Sequence, residues 1–247
     1  MRAILTFHSV DASGSVISIH PRDFRRLLAW LAGGGPLVTT IEHLLSLPAD
    51  ADAVALTFDD GFANFATDAW PVLREYGFPA TIFLPSDLLG KKNLWDRAER
   101  GAIPLLPLLD WPTTARLAEE GVTLGAHSRT HADLRTLGET ALREELRGAK
   151  EEIRRETGHE PEGFAYPFGY CDAATVSAAG QWYAWACTAE LRPLAAREDL
   201  LRLPRLDAYY LRGAGRLESW GSPRFARYLW MRNRARRLRR ALSVALA

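Results

Sequence analysis

Two neighbouring carboxylates end an apolar run at residues 56–61, which read Leu-Thr-Phe-Asp-Asp-Gly. Because Asp-Gly is a common turn dipeptide, this segment taken alone predicts only a turn. In a parallel α/β fold, however, catalytic groups collect at the carboxyl ends of the strands. Asp59 and Asp60 at such an end can divide the work, one as a metal ligand and the other as a general base.

A pair of histidines follows another apolar run, at residues 125–131 (Gly-Ala-His-Ser-Arg-Thr-His). Histidines four residues apart lie on one face of a helical turn, so His127 and His131 are predicted to reach one ion. Alone this spacing is weak evidence, because most such pairs bind no metal. Together with a strand-end carboxylate, it supplies two imidazoles and one carboxylate, the ligand set of a catalytic metal site with positions open for water and substrate.

A third apolar run ends in a Pro/Gly turn at residues 164–170 (Phe-Ala-Tyr-Pro-Phe-Gly-Tyr). It is either a hydrophobic strand that closes in an ordinary turn or a loop whose backbone N–H groups face a reacting carbonyl. The residues alone leave both interpretations open.

The elements that must position these groups alternate along the chain between short apolar runs and amphipathic stretches. Such alternation predicts a parallel sheet with helical crossovers, and seven strands favour one closed or nearly closed barrel over two domains. The predicted strands are 3–8, 53–58, 80–84, 122–126, 163–166, 182–187 and 201–206, and the predicted helices are 21–31, 63–76, 113–120, 139–157 and 173–179.

Composition excludes several classes of protein. The 247 residues are 47% hydrophobic and 25% charged, as in ordinary globular proteins, and a net charge of +1 selects no partner. Two cysteines are too few for a disulfide framework. The first apolar run is too short for a signal peptide, and no stretch approaches the about 18 to 20 apolar residues of a membrane-spanning helix. We therefore expect a cytoplasmic protein.

The three strand-end segments together resemble the NodB-homology polysaccharide deacetylases, carbohydrate esterase family 4. Residues 57–61 are similar to the first motif of that family, His127-Ser128-x-x-His131 to the second, and Pro167-Phe168-Gly169 to the core of the third. The resemblance covers about residues 3 to 207 and implies an α/β fold, a single distorted and incomplete (β/α) barrel of about seven strands. We expect this barrel at residues 1–222 and a basic C-terminal helix at residues 223–247.

The resemblance also implies a function. The protein would be a metal-dependent hydrolase that removes N-acetyl groups from an amino sugar in a polysaccharide, a lipid-linked glycan or a related glycoconjugate. Asp60, His127 and His131 would hold a divalent ion, zinc first, although cobalt, nickel and manganese suit the same ligands. Asp59 would be the general base, and the backbone N–H of Phe168 would help to hold the oxyanion.

Substrate contacts are expected from Trp95, Tyr166 and Pro167. Two alternatives to the deacetylase stay open: a catalytically weak relative that binds glycan or membrane, and a metal-dependent hydrolase of a non-sugar amide.

The chain departs from the family pattern at two places. The arginine that usually opens the third motif is Ala165 here, and no histidine follows residue 200, where the family's last motif usually supplies a general acid. Arg205 is predicted to approach Asp59 from a neighbouring strand end and to replace the missing arginine, although a structural ion pair is equally open. His8, which ends the first strand, is the best candidate for a proton donor or substrate contact, with a core or capping role as the alternative.

The C-terminal segment carries eight arginines between Arg224 and Arg240, together with Tyr228 and Trp230. Arginine with aromatic residues is typical of a helix that lies on anionic lipid. A weak peripheral contact with the inner membrane is therefore expected, with a helix packed on the barrel as the alternative. No nucleic-acid recognition motif accompanies the basic residues, so no nucleic acid is expected. Three further cues, an early Phe-His, the segment Phe-Ala-Tyr-Pro-Phe-Gly and a late Leu-Pro-Arg, resemble a subgroup of this family found with exopolysaccharide and cell-envelope glycan biosynthesis.

Overall fold

A curled, wholly parallel sheet forms the centre of the computed structural model, which describes residues 1–95, 103–213 and 215–245. Within these residues eight strands join the sheet, seven of them in the order β10-β1-β5-β6-β7-β8-β9, while β4 pairs with β5 beside β6. A separate pair, β2 with β3, lies after β1. The strands are β1 (Arg2–Phe7), β2 (Ser9–Val10), β3 (Ser18–Ile19), β4 (Leu37–Thr39), β5 (Ala53–Phe58), β6 (Thr81–Leu84), β7 (Thr123–Ala126), β8 (Gly163–Ala165), β9 (Trp185–Cys187) and β10 (Leu206–Asp207).

One irregular segment, residues 203–207, links the two edges of this sheet. Leu203 forms a parallel bridge with Cys187 of β9, and two residues of β10 pair with β1, Leu206 opposite Leu5. The expected single, distorted and incomplete (β/α) barrel is confirmed.

Helices cover the outside of the sheet at the positions predicted from the periodicity, with boundaries shifted by one or two residues. Two of the predicted helices begin or continue with a π-helical turn, at Phe65–Ala69 and at Glu144–Gly148. The α-helices are α1 (Pro21–Ala32), α2 (Ile41–Ser46), α3 (Trp70–Glu75), α4 (Trp111–Glu119), α5 (Glu139–Arg143), α6 (Ala149–Thr157), α7 (Ala173–Ala179) and α8 (Pro223–Ala245).

Side chains on the two faces of the sheet form two separate apolar clusters, because successive residues of a strand point to opposite faces. The interior cluster contains Ala53 and Ala55 of β5 and Phe83 of β6, and Ile41 and Leu44 of α2 pack against it. The larger cluster, between sheet and outer helices, contains the alternate residues of the same strands. Small inward residues on β5 leave room in the barrel for the polar groups that follow.

Three features of the fold were not predicted. β4 and α2 are short elements that the apolar pattern did not reveal. The predicted strand 201–206 is wrong in its first half, where Leu200–Arg202 form a 3₁₀ turn and only Leu206–Asp207 pair as β10. Pro204 contributes to this break because it has no N–H to donate to a neighbouring strand.

The C-terminal helix α8 packs on the barrel along its first turns. Phe225 and Leu229 are buried, and the hydroxyl of Tyr228 donates a hydrogen bond to the Tyr210 carbonyl at 3.0 Å. Trp230 and Met231 on the other side are exposed. Of the helices in the described part of the chain, none has both the length and the apolar character that a membrane crossing requires.

Candidate metal centre and active site

Asp59 enters the barrel because it continues the inward face of β5. Ala53 and Ala55 belong to the interior cluster, and Thr57 and Asp59 follow at the same two-residue spacing. Asp59 is 4% exposed. Its carboxylate therefore lies in the interior, where an unpaired charge would be costly.

Arg205 provides the pairing charge. Its Nη1 donates to Asp59 Oδ1 at 2.6 Å and its Nη2 to Asp59 Oδ2 at 2.7 Å, while its Nε donates to the Thr188 carbonyl at 3.0 Å. The two parallel bonds hold the carboxylate in one plane. The backbone N–H of Arg205 also donates to the Glu190 carbonyl at 3.0 Å, which ties residues 203–207 to the loop after β9.

Asp60 turns toward the site through an unusual backbone conformation. Its φ is 72°, in the left-handed region, and Gly61 follows with φ 64°. The Oδ1 atom of Asp60 then lies 3.3 Å from His127 Nε2 and 3.2 Å from His131 Nε2. One carboxylate oxygen and two imidazole nitrogens thus face a common point.

The two histidines converge for a reason that differs from the predicted one. Residues 127–131 form an irregular loop after β7 and not a helical turn, so the helical explanation of their spacing is wrong. Ser128 and His131 both have positive φ, 62° and 59°, and the His131 N–H donates to Ser128 Oγ at 3.0 Å. The loop conformation, rather than helical periodicity, directs both rings to Asp60.

Glu145 holds this loop from outside, and nothing in the sequence indicated it. Its Oε2 accepts hydrogen bonds from the backbone N–H groups of Arg129 at 2.8 Å and Thr130 at 2.9 Å, and its Oε1 accepts from Thr130 Oγ1 at 2.7 Å. Glu145 belongs to the π turn Glu144–Gly148. At Gly148 an added Cβ would lie 2.7 Å from Cδ of Arg129, so the loop and this helix are in close contact.

The donor set fits a divalent ion. One ligand atom from each of Asp60, His127 and His131 lies within 4.8 Å of the others, and all three residues are buried. His127 Nδ1 lies 2.6 Å from the Ala165 carbonyl, which requires a proton on Nδ1, so Nε2 is the nitrogen that would bind an ion on losing its own proton. His131 Nδ1 is buried without a hydrogen-bond partner among the described groups. Ala165 thus contributes its carbonyl where the family usually has an arginine side chain.

Charge and burial oppose each other at the ionisable groups. Burial alone would raise the pKa of Asp59, but the charges of Arg205 and His127 outweigh it and the pKa is lowered. Burial is likewise outweighed at Asp60 by hydrogen bonds from His127 and His131, so that its pKa is well below the usual range. For His131 burial prevails over the attraction of Asp60, and the pKa is lowered. Both carboxylates are therefore ionised at neutral pH.

A cleft of about 460 Å³ opens above these groups. The ring of Trp95 stacks on His131 with centroids 4.5 Å apart, and the ring of Phe168 meets His131 edge-on at 4.7 Å. His8 follows β1 and is partly exposed, with Nε2 3.9 Å from Asp59 Oδ2. Phe168 has φ 58°, and its N–H has no acceptor among the described residues.

Two residues expected to contact substrate lie elsewhere, which corrects the prediction for their side chains. Tyr166 is fully buried, and its hydroxyl donates to the Leu201 carbonyl at 3.1 Å. Pro167 is also buried and does not line the cleft. Tyr166 directly follows β8, and its side chain points, like that of Phe164, into the larger apolar cluster between the sheet and the outer helices.

The fold and the site define a parallel (β/α) barrel with a candidate metal centre at the carboxyl ends of its strands. The sequence profile of the family described as polysaccharide deacetylase matches residues 47–183. This chain belongs to that family, which is metal-dependent and comprises the NodB-homology domains of carbohydrate esterase family 4.

Curated relatives agree with this membership. The chain is 27% identical over 181 residues to YxkH of Bacillus subtilis, a protein classed by name among polysaccharide deacetylases, covering 71% of this chain and 60% of that protein. It is 31% identical over 120 residues to a chitin deacetylase of Colletotrichum lindemuthianum, covering 49% of this chain and 43% of the enzyme. The chain therefore spans less than two thirds of the length of either relative.

Solved structures share the fold. IcaB from Ammonifex degensii superposes with a TM-score of 0.70 at 21% identity, covering 92% of this chain and 96% of that one. The Streptococcus pyogenes deacetylase PplD, solved in complex with acetate, gives a TM-score of 0.69 at 21% identity, covering 83% and 91%.

We predict that Glu145→Ala weakens zinc binding about 10- to 100-fold, the usual effect of removing a group that orients a metal ligand. Glu145→Gln should recover most of the affinity, because its amide oxygen can accept from both backbone N–H groups. Competition with a coloured chelator measures the dissociation constant. The matched control is Glu144→Ala in the same π turn, where the carboxylate pairs, among the described residues, only with partly exposed Arg147. Equal affinities for Glu145→Ala and Glu144→Ala would contradict the role of Glu145.

Proposed function

We propose that this protein hydrolyses the N-acetyl group of an amino sugar in a polysaccharide, a lipid-linked glycan or a related glycoconjugate. The observation that carries the proposal is that two neighbouring carboxylates at one strand end have different partners. Asp59 is locked by Arg205, whereas Asp60 faces two imidazole nitrogens. Membership in the polysaccharide deacetylase family and the named chitin deacetylase relative support the same reaction.

Asp60, His127 and His131 would hold the ion, with zinc the first choice and cobalt, nickel or manganese as alternatives. A divalent ion there would polarise the acetamide carbonyl and make a nearby water more acidic. Asp59 is the general base that takes the proton of the attacking water. Arg205 is a positioning residue, because its two hydrogen bonds fix the plane of Asp59 while leaving one lone pair on each carboxylate oxygen.

The departing nitrogen needs a proton, since an amide anion is a poor leaving group. His8 is the candidate donor, supported by its partly exposed position at the cleft and by the 3.9 Å separation from Asp59. The backbone N–H of Phe168, which has no acceptor among the described residues, is the candidate donor to the developing oxyanion. Trp95 is the candidate aromatic contact for a sugar ring, since it lines the cleft beside His131.

A catalytically weak binding relative is disfavoured by the Asp59–Arg205 pair at the cleft, since a binding module has no need for an ionised base held in one orientation. The proposed roles of the metal ion and of Asp59 would apply equally to the hydrolysis of a non-sugar amide.

Acetate release from N-acetylglucosamine oligomers and from a panel of small N-acetyl amines tests the proposal. We expect release from the sugars, with little from the amines. Release from the amines alone would contradict it.

The membrane contact, the cytoplasmic location and the division into a barrel at 1–222 and a helix at 223–247 stay predictions. Leu246 and Ala247 lie outside the described residues. The buried positions of Phe225 and Leu229 favour a helix that is docked on the barrel along its first turns, which leaves only the later turns for lipid.

We predict that Asp60→Asn, His127→Ala and His131→Ala each lose bound zinc together with activity while keeping the fold. Three protein ligands leave little redundancy, and each truncation removes a third of the set. Metal analysis after dialysis and circular dichroism provide the two measurements. His159→Ala, which removes an exposed histidine, is the control and should retain one equivalent. A full equivalent of zinc in any two of the ligand variants would refute this ligand set.

A separate variant distinguishes base from ligand. Asp59→Asn should keep zinc yet lower kcat by about 10²- to 10⁴-fold, the usual contribution of general-base assistance. Asp110→Asn, which replaces the cap of α4 outside the cleft by another good cap, should leave the rate unchanged. A rate for Asp59→Asn within a few-fold of the parent would mean that Asp59 is not the base.

A further inference from the structure

A stripe of basic side chains leads from helix α8 to the cleft. Tyr228, Arg232 and Arg236 stand four residues apart and so share one face of the helix. That face meets the 3₁₀ turn Ala208–Leu211, because Tyr228 bonds to the Tyr210 carbonyl. The guanidinium carbons of Arg232 and Arg236 lie 5.8 Å and 5.7 Å from the centroid of the Tyr210 ring.

The stripe and the candidate metal centre share one space. Arg236, Tyr209 and Tyr210 line the same cleft as Asp60 and His131. A ligand with its acetamide group at the candidate metal centre would therefore share its cleft with a wall made of an arginine and two tyrosines.

The two arginines of this wall have no carboxylate partner in the described part of the chain. Residues 223–247 contain no aspartate or glutamate, and neither Arg232 nor Arg236 has an ion pair with any carboxylate of the described chain. Arg205, which also lines the cleft, differs because Asp59 neutralises it. Asp207 also lines the cleft, where its Oδ1 accepts the Tyr209 N–H at 2.9 Å as the cap of the turn, and it forms no ion pair with Arg232 or Arg236.

Two guanidinium groups beside one tyrosine ring, Arg236 lining the cleft and Arg232 one helical turn before it, suit a phosphate. Arginine binds phosphate through paired N–H donors, and two free positive charges suit a group that carries up to two negative charges better than a single carboxylate. The Tyr210 ring lies within cation–π distance of both guanidinium groups, which favours their position beside the cleft without removing their charge.

We propose that Arg236 and Arg232 bind a phosphate that is attached to the acetylated amino sugar, so that the substrate is a sugar phosphate or its ester. The assignment of the acetamide end rests on the proposed function. The assignment of the phosphate end rests only on the positions of Arg232 and Arg236. Because a phosphate ester can come from a nucleotide or from a lipid carrier, the recognised element is the phosphate itself.

Binding to the whole protein tests this wall without catalysis. Isothermal titration calorimetry would compare N-acetylglucosamine 1-phosphate with N-acetylglucosamine in the presence of a chelator, so that no metal contributes. The parent should bind the phosphorylated sugar at least about tenfold more tightly, since hydrogen bonds between charged groups are worth more than one factor of ten. Binding should weaken with added salt.

The double substitution Arg232→Gln with Arg236→Gln should abolish this preference and leave binding of the neutral sugar unchanged. Glutamine keeps the helix propensity of arginine, so α8 is retained. The control is Arg234→Gln, whose guanidinium lies over exposed Trp230 and not over Tyr210, and it should keep the full preference. Equal affinities of the parent for both sugars, or a preference that survives the double substitution, would overturn the proposal.

Two further ligands identify the carrier. A uridine diphosphate ester and a farnesyl diphosphate ester of N-acetylglucosamine both carry the phosphate, and both should lose affinity in the double variant. The ester that binds the parent more tightly identifies the carrier. Unchanged affinity of both esters in the double variant would contradict phosphate binding by Arg232 and Arg236. Because these measurements use metal-free protein, failure of the deacetylase assignment leaves them interpretable.

Discussion

The buried ion pair between Asp59 and Arg205 joins the middle of the sheet to the segment that links its two edges. Asp59 continues the inward face of β5 in the middle of the sheet, whereas Arg205 belongs to the segment that links β9 to β1. One interaction thus ties the linking segment, residues 203–207, to the sheet and orients the proposed base. Leaving either charge unpaired in the interior costs about 3–5 kcal/mol, so the position of the closing segment and the position of the carboxylate depend on each other.

The backbone carries strain where the chemistry is proposed. Within the described residues, every non-glycine residue with positive φ lies at this site: Asp60, Ser128, His131 and Phe168. Each such residue costs on the order of 1–3 kcal/mol and persists only when its surroundings hold it. Glu145, the Ser128 hydroxyl and the interior packing provide that support. The strain is consistent with a site whose side chains must point to one place regardless of local backbone preference.

Much of this arrangement could be predicted from the sequence, because apolar runs that end in Asp-Asp or His report both a strand and its carboxyl end. The histidine pair was found through a helical argument that the loop at 127–131 does not follow. Glu145 escaped detection since it acts on backbone N–H groups, which carry no sequence signal. Tyr166 was misplaced because it directly follows β8 and continues the alternation of that strand, which places its side chain in the core with Phe164. The proximity of α8 to the cleft is likewise a tertiary fact, invisible in a run of arginines.

The central claim is that Asp60, His127 and His131 form a metal centre beside a base held by Arg205. Anomalous diffraction from crystals grown with zinc, measured on both sides of the zinc absorption edge, tests it most directly. The account predicts one strong anomalous peak within bonding distance of Asp60 Oδ1, His127 Nε2 and His131 Nε2, with the Asp59–Arg205 pair intact beside it. A peak at any other group of residues, or an ion bound by Asp59 with Arg205 displaced, would contradict it.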